Sequence, residues 1–421
     1  VPGSDGPVPE NEQECLAIAR RIGLPVIIKA AAGGGGRGMR VVFEEQELMS
    51  SIQITQTEAK AAFGDGTVYM EKFLQNPRHV EVQILSDGQG SAIHLGDRDC
   101  SLQRRNQKLV EEATAPFITE EQRTRIHESA RAICAAAGYT GAGTVEFLLS
   151  QNGTISFLEV NTRLQVEHPI TEETTGIDIV IEQLRIADGK ALSVTETPAP
   201  RGHAFEFRIN AEDPGRGFLP TPGLIKRFRA PSGPGVRLDT GVESGSEIPG
   251  LYDSMMAKLI VTGATREEAL IRARRALAEF KIEGVASVLP FHRAVVEERD
   301  FTGEDGFNVF TNWIETEFRG VEPSARIDPV DTDVIRSFIE IDGKRHQLGL
   351  PAALFSGLSA PQQVGDATQQ VAEGAVTAPI PGTFQQWLVE DGAMVTEGEV
   401  VAIMEAMKME TRIAAPKAGK I

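Results

Sequence analysis

Apolar residues recur at helical spacing over residues 10–22, where Cys15, Ile18, Ala19 and Ile22 share one face. They then run together in Pro25-Val26-Ile27-Ile28, a short strand. After a glycine-rich turn, Met39-Arg40-Val41-Val42-Phe43 alternates and is rich in β-branched residues, which predicts a returning strand. A helix over 45–62 and a strand Val68-Tyr69-Met70-Glu71-Lys72-Phe73 complete a compact α+β unit that closes near residue 73. Beyond it the rhythm changes. His79-Val80-Glu81-Val82-Gln83-Ile84-Leu85 and Ala92-Ile93-His94-Leu95 flank Asp87-Gly88-Gln89-Gly90, a hairpin signal. Residues 120–137 pattern as a helix, and a second hairpin joins Val145–Leu149 to Ile155–Val160 around Gln151-Asn152-Gly153. Short strands near 203–210, 224–229 and 257–262 and a helix at 266–280 extend this to about 317. The expected architecture is an antiparallel sheet with helices to one side.

Residues 321–378 are rich in Ala, Gly, Ser, Gln and Pro, with one β-like patch at Phe338–Gly343, and 355–377 read as a flexible linker. From 378 onward short strands return at Thr383–Val389, Val400–Met404 and Glu410–Ala414, as in a small β-sandwich. The 421 residues therefore divide into 1–73, 74–317, a linker 318–378 and a terminal unit 379–421.

Composition narrows the partners. The net charge of -18, from 60 acidic against 42 basic residues, disfavours nucleic acid and anionic membranes. No run of 18 apolar residues occurs, so no transmembrane helix is expected. Three cysteines without CxxC spacing, Cys15, Cys100 and Cys134, fit free thiols in a reducing, cytoplasmic setting. The opening Val1-Pro2-Gly3-Ser4-Asp5-Gly6 reads as a mid-protein loop, and the last residues stop without a terminal element. Truncation at both ends is the expectation.

Three places carry candidate chemistry. Lys29 precedes Gly33-Gly34-Gly35-Gly36-Arg37-Gly38 between two strands, in neither a P-loop nor a Rossmann pattern. Glycines let amides approach phosphate oxygens, so a lid over a nucleotide triphosphate fits; a mobile surface turn is the alternative. Glu146 and Glu159 stand on adjacent strands with Asn161 two residues on, so two carboxylates and an amide oxygen can face one Mg²⁺. For Glu146 alone a solvated, salt-bridged face competes. Arg163, Gln165 and Glu167 continue at period two, which predicts one polar strand face from 159 to 167, an active-site floor. Taken singly, Lys108 and Arg208 read more readily as surface or structural charges, and His79 as a ribose contact or a strand end. Finally, Glu405-Ala406-Met407-Lys408-Met409-Glu410 predicts a turn that presents one lysine between methionines. Large apolar residues there imply recognition of Lys408 as a modification site.

Together these segments carry a resemblance. Lys29 with GGGGRGM, MEKFLQNPRHVEVQ, RDCSLQRRNQKLVEEA, GTVEFL, FLEVNTRLQVEHPITE, RINAEDP and LYDSMMAKLI resemble biotin carboxylase of the ATP-grasp superfamily, over nearly all of 1–317. Pro379 to Glu410 resembles a biotin carboxyl carrier domain. The order, with no carboxyltransferase between the two, looks like the alpha subunits of acetyl/propionyl-CoA carboxylases. The resemblance implies an α+β ATP-grasp fold whose N-terminal Rossmann-like lobe precedes this chain, with 1–73 as its lid, followed by an incomplete β barrel-sandwich carrier. It implies ATP phosphates on Lys29 beneath Gly34, Gly35 and Gly36. Adenosine would be held by Glu71, the backbones of Lys72 and Leu74, and His79, with Gln103 and Asn106 also at the nucleotide. Mg²⁺ or Mn²⁺ would sit on Glu146, Glu159 and Asn161. Bicarbonate would bind Arg163, Gln165, the Val166 backbone and Lys108, with Glu167 as general base and Arg208 stabilising the ureido oxygen of a biotin carried covalently on Lys408. Asn106 departs from the family, which often has histidine there. Implied partners are a carboxyltransferase beta subunit, biotin protein ligase and further copies of the full-length protein, in a setting of fatty acid biosynthesis. Two rivals stay open: another ATP-grasp ligase of carbamoyl-phosphate type, and a carrier or assembly fragment without activity of its own.

Overall fold

Asn11 starts the first helix, α1 (Glu12–Ile22), by accepting hydrogen bonds from Gln13 N and Glu14 N, amides with no partner in the first turn. The computed structural model describes residues 2–32, 38–88, 92–304, 306–323, 334–341, 344–351, 375–378, 382–406 and 409–421. Strands β1 (Val26–Ala30), β2 (Met39–Val42) and β3 (Val68–Lys72) form an antiparallel sheet in the order β2-β1-β3. The helix expected over 45–62 divides into a 3-10 turn, Glu45–Glu47, and α2 (Leu48–Phe63). Cys15 and Ala19 of α1 and Leu48 and Ile52 of α2 share one core with Ile28 and Met70.

The second unit is built on an eight-stranded sheet. Its strands are β4 (Arg78–Asp87), β5 (Ala92–Arg104), β6 (Gln107–Ala113), β7 (Thr140–Leu149), β8 (Ile155–Asn161), β9 (His203–Asn210), β10 (Val236–Thr240) and β11 (Met255–Gly263). Their order is β10-β11-β9-β6-β5-β4-β7-β8, antiparallel throughout.

Helices cover both faces, which corrects the one-sided expectation. Val80, Val82 and Ile84 of β4 meet Ile126 and Ala130 of α3 (Glu120–Ala136), while Phe205 and Phe207 of β9 meet Ala269 and Ala273 of α6 (Arg266–Glu279). On the opposite face, Ile170 of α4 (His168–Thr175) packs on Ala204 and Ile260. Ile179 of α5 (Ile179–Ala187) joins Leu85 there. For Glu146 on that second face, a solvated, salt-bridged surface competed in sequence with an active-site floor. Glu146 is instead buried there.

The β-like patch is a hairpin of Val334–Ile341 with Lys344–Pro351. Most of the expected linker, residues 352–374, lies outside the described residues. Beyond it, Thr383–Trp387, Val400–Ala406 and Met409–Ala414 form a three-stranded sheet, and Met394–Val395 pairs with Gly419–Lys420. Val395, Val401, Met404 and Ile413 share its core. Among the described residues, no helix is long and apolar enough to cross a membrane, and the three cysteines are free and buried.

Candidate active site

Strand register sets the site. Glu159 pairs with Glu146, Glu146 with Glu81, and Glu81 with Arg98, a row crossing β8, β7, β4 and β5. Directly paired residues project from the same face, so three carboxylates stand side by side; Glu159 is exposed, while the buried Glu146 and Glu81 need cations. Arg98, fully buried, donates to Glu81 Oε1 at 2.6 Å, and to Gln83 Oε1 and Thr171 Oγ1 at 2.8 and 2.9 Å. Lys108 supplies the second charge. Its Nζ reaches Glu81 Oε2 at 2.6 Å, Glu146 Oε1 at 3.0 Å and Glu167 Oε1 at 2.6 Å. Burial opposes the charge on Lys108, but Glu167 and Glu81 outweigh it and hold its pKa well above the usual lysine value.

A second charged group adjoins the first. Arg208 donates to Glu111 Oε1 at 2.5 Å and to Glu167 Oε2 at 2.9 Å, so Glu167 bridges Lys108 and Arg208. Burial would raise the pKa of Glu167, yet Lys108, Arg208 and Arg98 hold it well below the usual carboxylate range. Glu146 is likewise lowered: His79, Lys108 and Gln165 overcome its burial. Glu206, the cross-strand partner of Glu111, is fully buried, and neither carboxylate oxygen has a hydrogen-bond partner among the described residues. Burial, then the neighbouring Glu111, pushes its pKa well up, so it is held as the neutral acid.

Of the residues singled out from sequence, the structure brings Gln165, Asn161, Glu159, His79 and Gln103 to Glu146, Lys108, Glu167 and Arg208. Gln165 Nε2 donates to Glu146 Oε1 at 2.8 Å, and Asn161 Nδ2 donates to Glu146 and Glu159 at 2.9 and 3.4 Å. His79 Nε2 lies 2.9 Å from Glu146 Oε2, and its Nδ1 is 3.3 Å from Gln103 Nε2. In the first unit, Lys29 Nζ pairs with Glu71 Oε2 at 2.6 Å, and Lys72 Nζ donates to Gly23 O and Leu24 O. Leu74 follows β3, half-buried. Gly34, Gly35, Gly36 and Lys408 lie outside the described residues.

Several expectations need correction. The polar strand face from 159 to 167 does not exist, because β8 ends at Asn161. Gln165 and Glu167 return to the site through a turn that leads into α4, whereas Arg163 is exposed and donates to Leu164 O. Lys108 and Arg208 are largely buried ion-pair centres, not surface charges. Asn106 is exposed, at the tip of the β5–β6 hairpin, where Arg105 and Asn106 have φ of 47° and 64°. Asparagine tolerates that left-handed geometry, which gives its presence a local reason.

Sequence reading missed Glu81, Arg98, Glu111, Glu206 and Lys258. Some signal was present: Glu81 and Gln83 alternate with Val80, Val82 and Ile84, marking one polar and one apolar face of β4. What could not be read was that the polar face is enclosed.

Comparison with known proteins gives this geometry its relatives. Residues 1–195 match the model for the carbamoyl-phosphate synthase L chain ATP-binding domain, 206–316 the biotin carboxylase C-terminal domain, and 374–421 the biotin-requiring enzyme domain. The chain is 51% identical to the biotin-dependent acyl-coenzyme A carboxylase alpha3 subunit of Mycobacterium leprae, over 100% of this chain and 74% of that protein. It is 57% identical to biotin carboxylase of Pseudomonas aeruginosa, over 73% of this chain and 68% of the relative. The chain belongs to the biotin carboxylase family. Its fold is accordingly the ATP-grasp fold of biotin carboxylases. Among solved structures, the biotin carboxylase–β,γ-ATP complex of Campylobacter jejuni superimposes with a TM-score of 0.71 at 46% identity, covering 75% of this chain and 70% of that one. The biotin carboxylase domain of Hydrogenobacter thermophilus 2-oxoglutarate carboxylase, solved with MgADP and bicarbonate, gives 0.70 at 44% identity, covering 75% and 69%.

Proposed function

We infer that the protein is an ATP-dependent biotin carboxylase that uses bicarbonate to carboxylate biotin, the first half-reaction of an acyl-CoA carboxylase. The observation that carries this is the enclosed Lys108–Glu167–Arg208 chain: one carboxylate between two cations at the floor of an ATP-grasp sheet. Lys108 suits an anionic substrate and Glu167 the role of base. With its present partners Glu167 is a weak base. When bicarbonate engages Lys108 and the ureido oxygen engages Arg208, Glu167 loses both cations and its proton affinity rises. It then takes the bicarbonate proton as a bicarbonate oxygen attacks the γ-phosphorus of ATP, whose bond to ADP breaks to leave carboxyphosphate. Arg208 holds the charge that develops on the ureido oxygen.

Asn161 places one amide between Glu146 and Glu159, so carboxylate oxygens converge on a donor where a hard cation would be satisfied. These residues fit Mg²⁺ or Mn²⁺, which when bound neutralises charge on the transferred phosphoryl group. Lys29, paired with Glu71, suits the ATP phosphates beneath the glycine loop, with Lys72, Leu74, His79, Gln103 and Asn106 about the nucleotide. Arg163 and the Val166 backbone complete the bicarbonate site. Residues 1–73 serve as lid, 74–317 as the catalytic body and 318–378 as linker. Residues 379–421 serve as a barrel-sandwich carrier, whose biotin on Lys408 supplies the nitrogen that accepts the carboxyl group. A carboxyltransferase beta subunit, biotin protein ligase and a homo-oligomeric state in the cytoplasm complete the proposal.

The test measures ATP hydrolysis by the intact protein with and without bicarbonate and biotin, and intact mass after exposure to biotin ligase beside a Lys408→Arg control. Hydrolysis that ignores bicarbonate and biotin overturns the carboxylase reading. An unmodified Lys408 overturns the carrier assignment.

A further inference from the structure

The turn Gln165-Val166-Glu167 links the end of β8 to α4, and both carbonyls in it are drawn away by side chains with no assigned role. Lys258 Nζ donates to Val166 O at 3.0 Å. His168 Nδ1 lies 2.8 Å from Gln165 O, which also accepts from His168 N at 3.4 Å. In a trans peptide the C=O and the following N–H point in opposite directions. Anchoring the carbonyls of 165 and 166 on His168 and Lys258 respectively therefore leaves the amides of Val166 and Glu167 pointing away from those anchors. Successive backbone amides at such a turn can together form a small anion cradle.

Lys258 is placed for this task. It pairs with Arg208 across β11 and β9, so the two cations share a sheet face beside Glu167. Its ammonium is largely buried, and its nearest carboxylate, Asp239 Oδ2, is 3.8 Å away. Asp239 is itself gripped by Arg237 through two bonds of 2.9 Å, which leaves Val166 O as the close acceptor for Lys258. His168 completes the arrangement from α4. Burial above all lowers its pKa, so a neutral ring with hydrogen on Nδ1 donates to Gln165 O at neutral pH.

We propose that Lys258 and His168 are positioning residues that hold the 165–167 turn in its anion-binding form and so set the affinity for bicarbonate. The proposal rests on the carboxylase reading given above. In the intact protein, Lys258→Met is expected to raise the bicarbonate KM by roughly tenfold or more, the effect of losing one charge-assisted hydrogen bond. The ATP KM should stay within about twofold of wild type, since Lys258 touches none of the described residues of the nucleotide group. Lys258→Arg keeps a donor and should recover part of the loss. His168→Asn, which retains a donor near the Nδ1 position, should lie closer to wild type than His168→Leu. A Lys258→Met protein whose bicarbonate KM is unchanged, or whose ATP and bicarbonate KM rise together, overturns the assignment. So does a folded Lys258→Arg protein as impaired as Lys258→Met; if thermal melting shows the methionine variant unfolded, the His168→Asn and His168→Leu pair decides the matter, and equal bicarbonate KM values for those two overturn the assignment. A wild-type protein without bicarbonate-dependent hydrolysis instead removes the bicarbonate site itself, and is recognised before any variant is measured.

Discussion

Lys108 neutralises three carboxylates at once, so Lys108→Met tests whether the enclosed charge row is held together as described. Methionine keeps the length of the side chain and removes the ammonium that touches Glu81, Glu146 and Glu167. Removing one partner of a buried ion pair costs about 3–5 kcal/mol, because the other charge stays desolvated. Here each carboxylate keeps a second donor: Arg98 on Glu81, Arg208 on Glu167, and Gln165 with Asn161 on Glu146. The lower end, about 3 kcal/mol, therefore applies. For a unit of this size it corresponds to a fall in Tm of roughly 6–12 °C. The pH dependence fixes the mechanism. In the wild type, Glu146 and Glu167 have depressed pKa values, so their stabilisation is present above the unfolded carboxylate value and is lost as pH falls through the folded one. Without Lys108 those carboxyls bind protons at higher pH, and protonation relieves the variant. Differential scanning calorimetry at a series of pH values should show the widest gap between the two proteins near neutrality. The gap should narrow as pH falls toward about 5. A neutral-pH gap under about 2 °C, or one constant with pH, would refute the reasoning.

Arg208→Ala should lower turnover about 100-fold while leaving ATP affinity nearly unchanged, measured by steady-state kinetics beside equilibrium nucleotide binding; equal loss of both removes the role assigned to Arg208. Glu206→Gln should matter least in acid, because burial and then Glu111 push the wild-type carboxyl well up and favour its protonated form. Its raised folded pKa means that wild-type stability is lost as pH rises through that value, so the variant should melt progressively higher than wild type in alkaline buffer. Thermal melts that stay parallel at every pH would show Glu206 to be ionised or irrelevant.

How much of the site was legible depended on whether neighbours in space were also neighbours in sequence. Glu146 with Glu159 and Asn161 could be placed together because one hairpin joins them and its register opposes the two glutamates. Gln165 and Glu167 were assigned to the right site by the wrong geometry: alternation suggested a strand, while Pro169 at the start of α4 and the turn before it bring them in instead. Arg163 has the same spacing and faces solvent, so periodicity alone did not separate inward from outward residues there. Lys108 and Arg208 read as surface or structural charges because each is a lone cation on its strand. Their partners Glu81, Glu111 and Glu167 come from β4, β6 and the turn before α4.

The sequence by itself determined the elements and their sidedness. Period-two alternation separates Val80, Val82 and Ile84 from Glu81 and Gln83, glycines and asparagines mark the turns, and linear motifs carry the family resemblance. Only the tertiary structure decided that the polar side is an interior. α4 lies on that face, with Thr171 accepting from Arg98. Once water is excluded there, Glu81, Glu146 and Glu111 on three strands must find cations, and burial favours the protonated form of Glu206. Side-chain alternation is local and survives in the sequence. Enclosure depends on contacts between distant parts of the chain, such as Arg98 with Thr171 of α4, 73 residues apart.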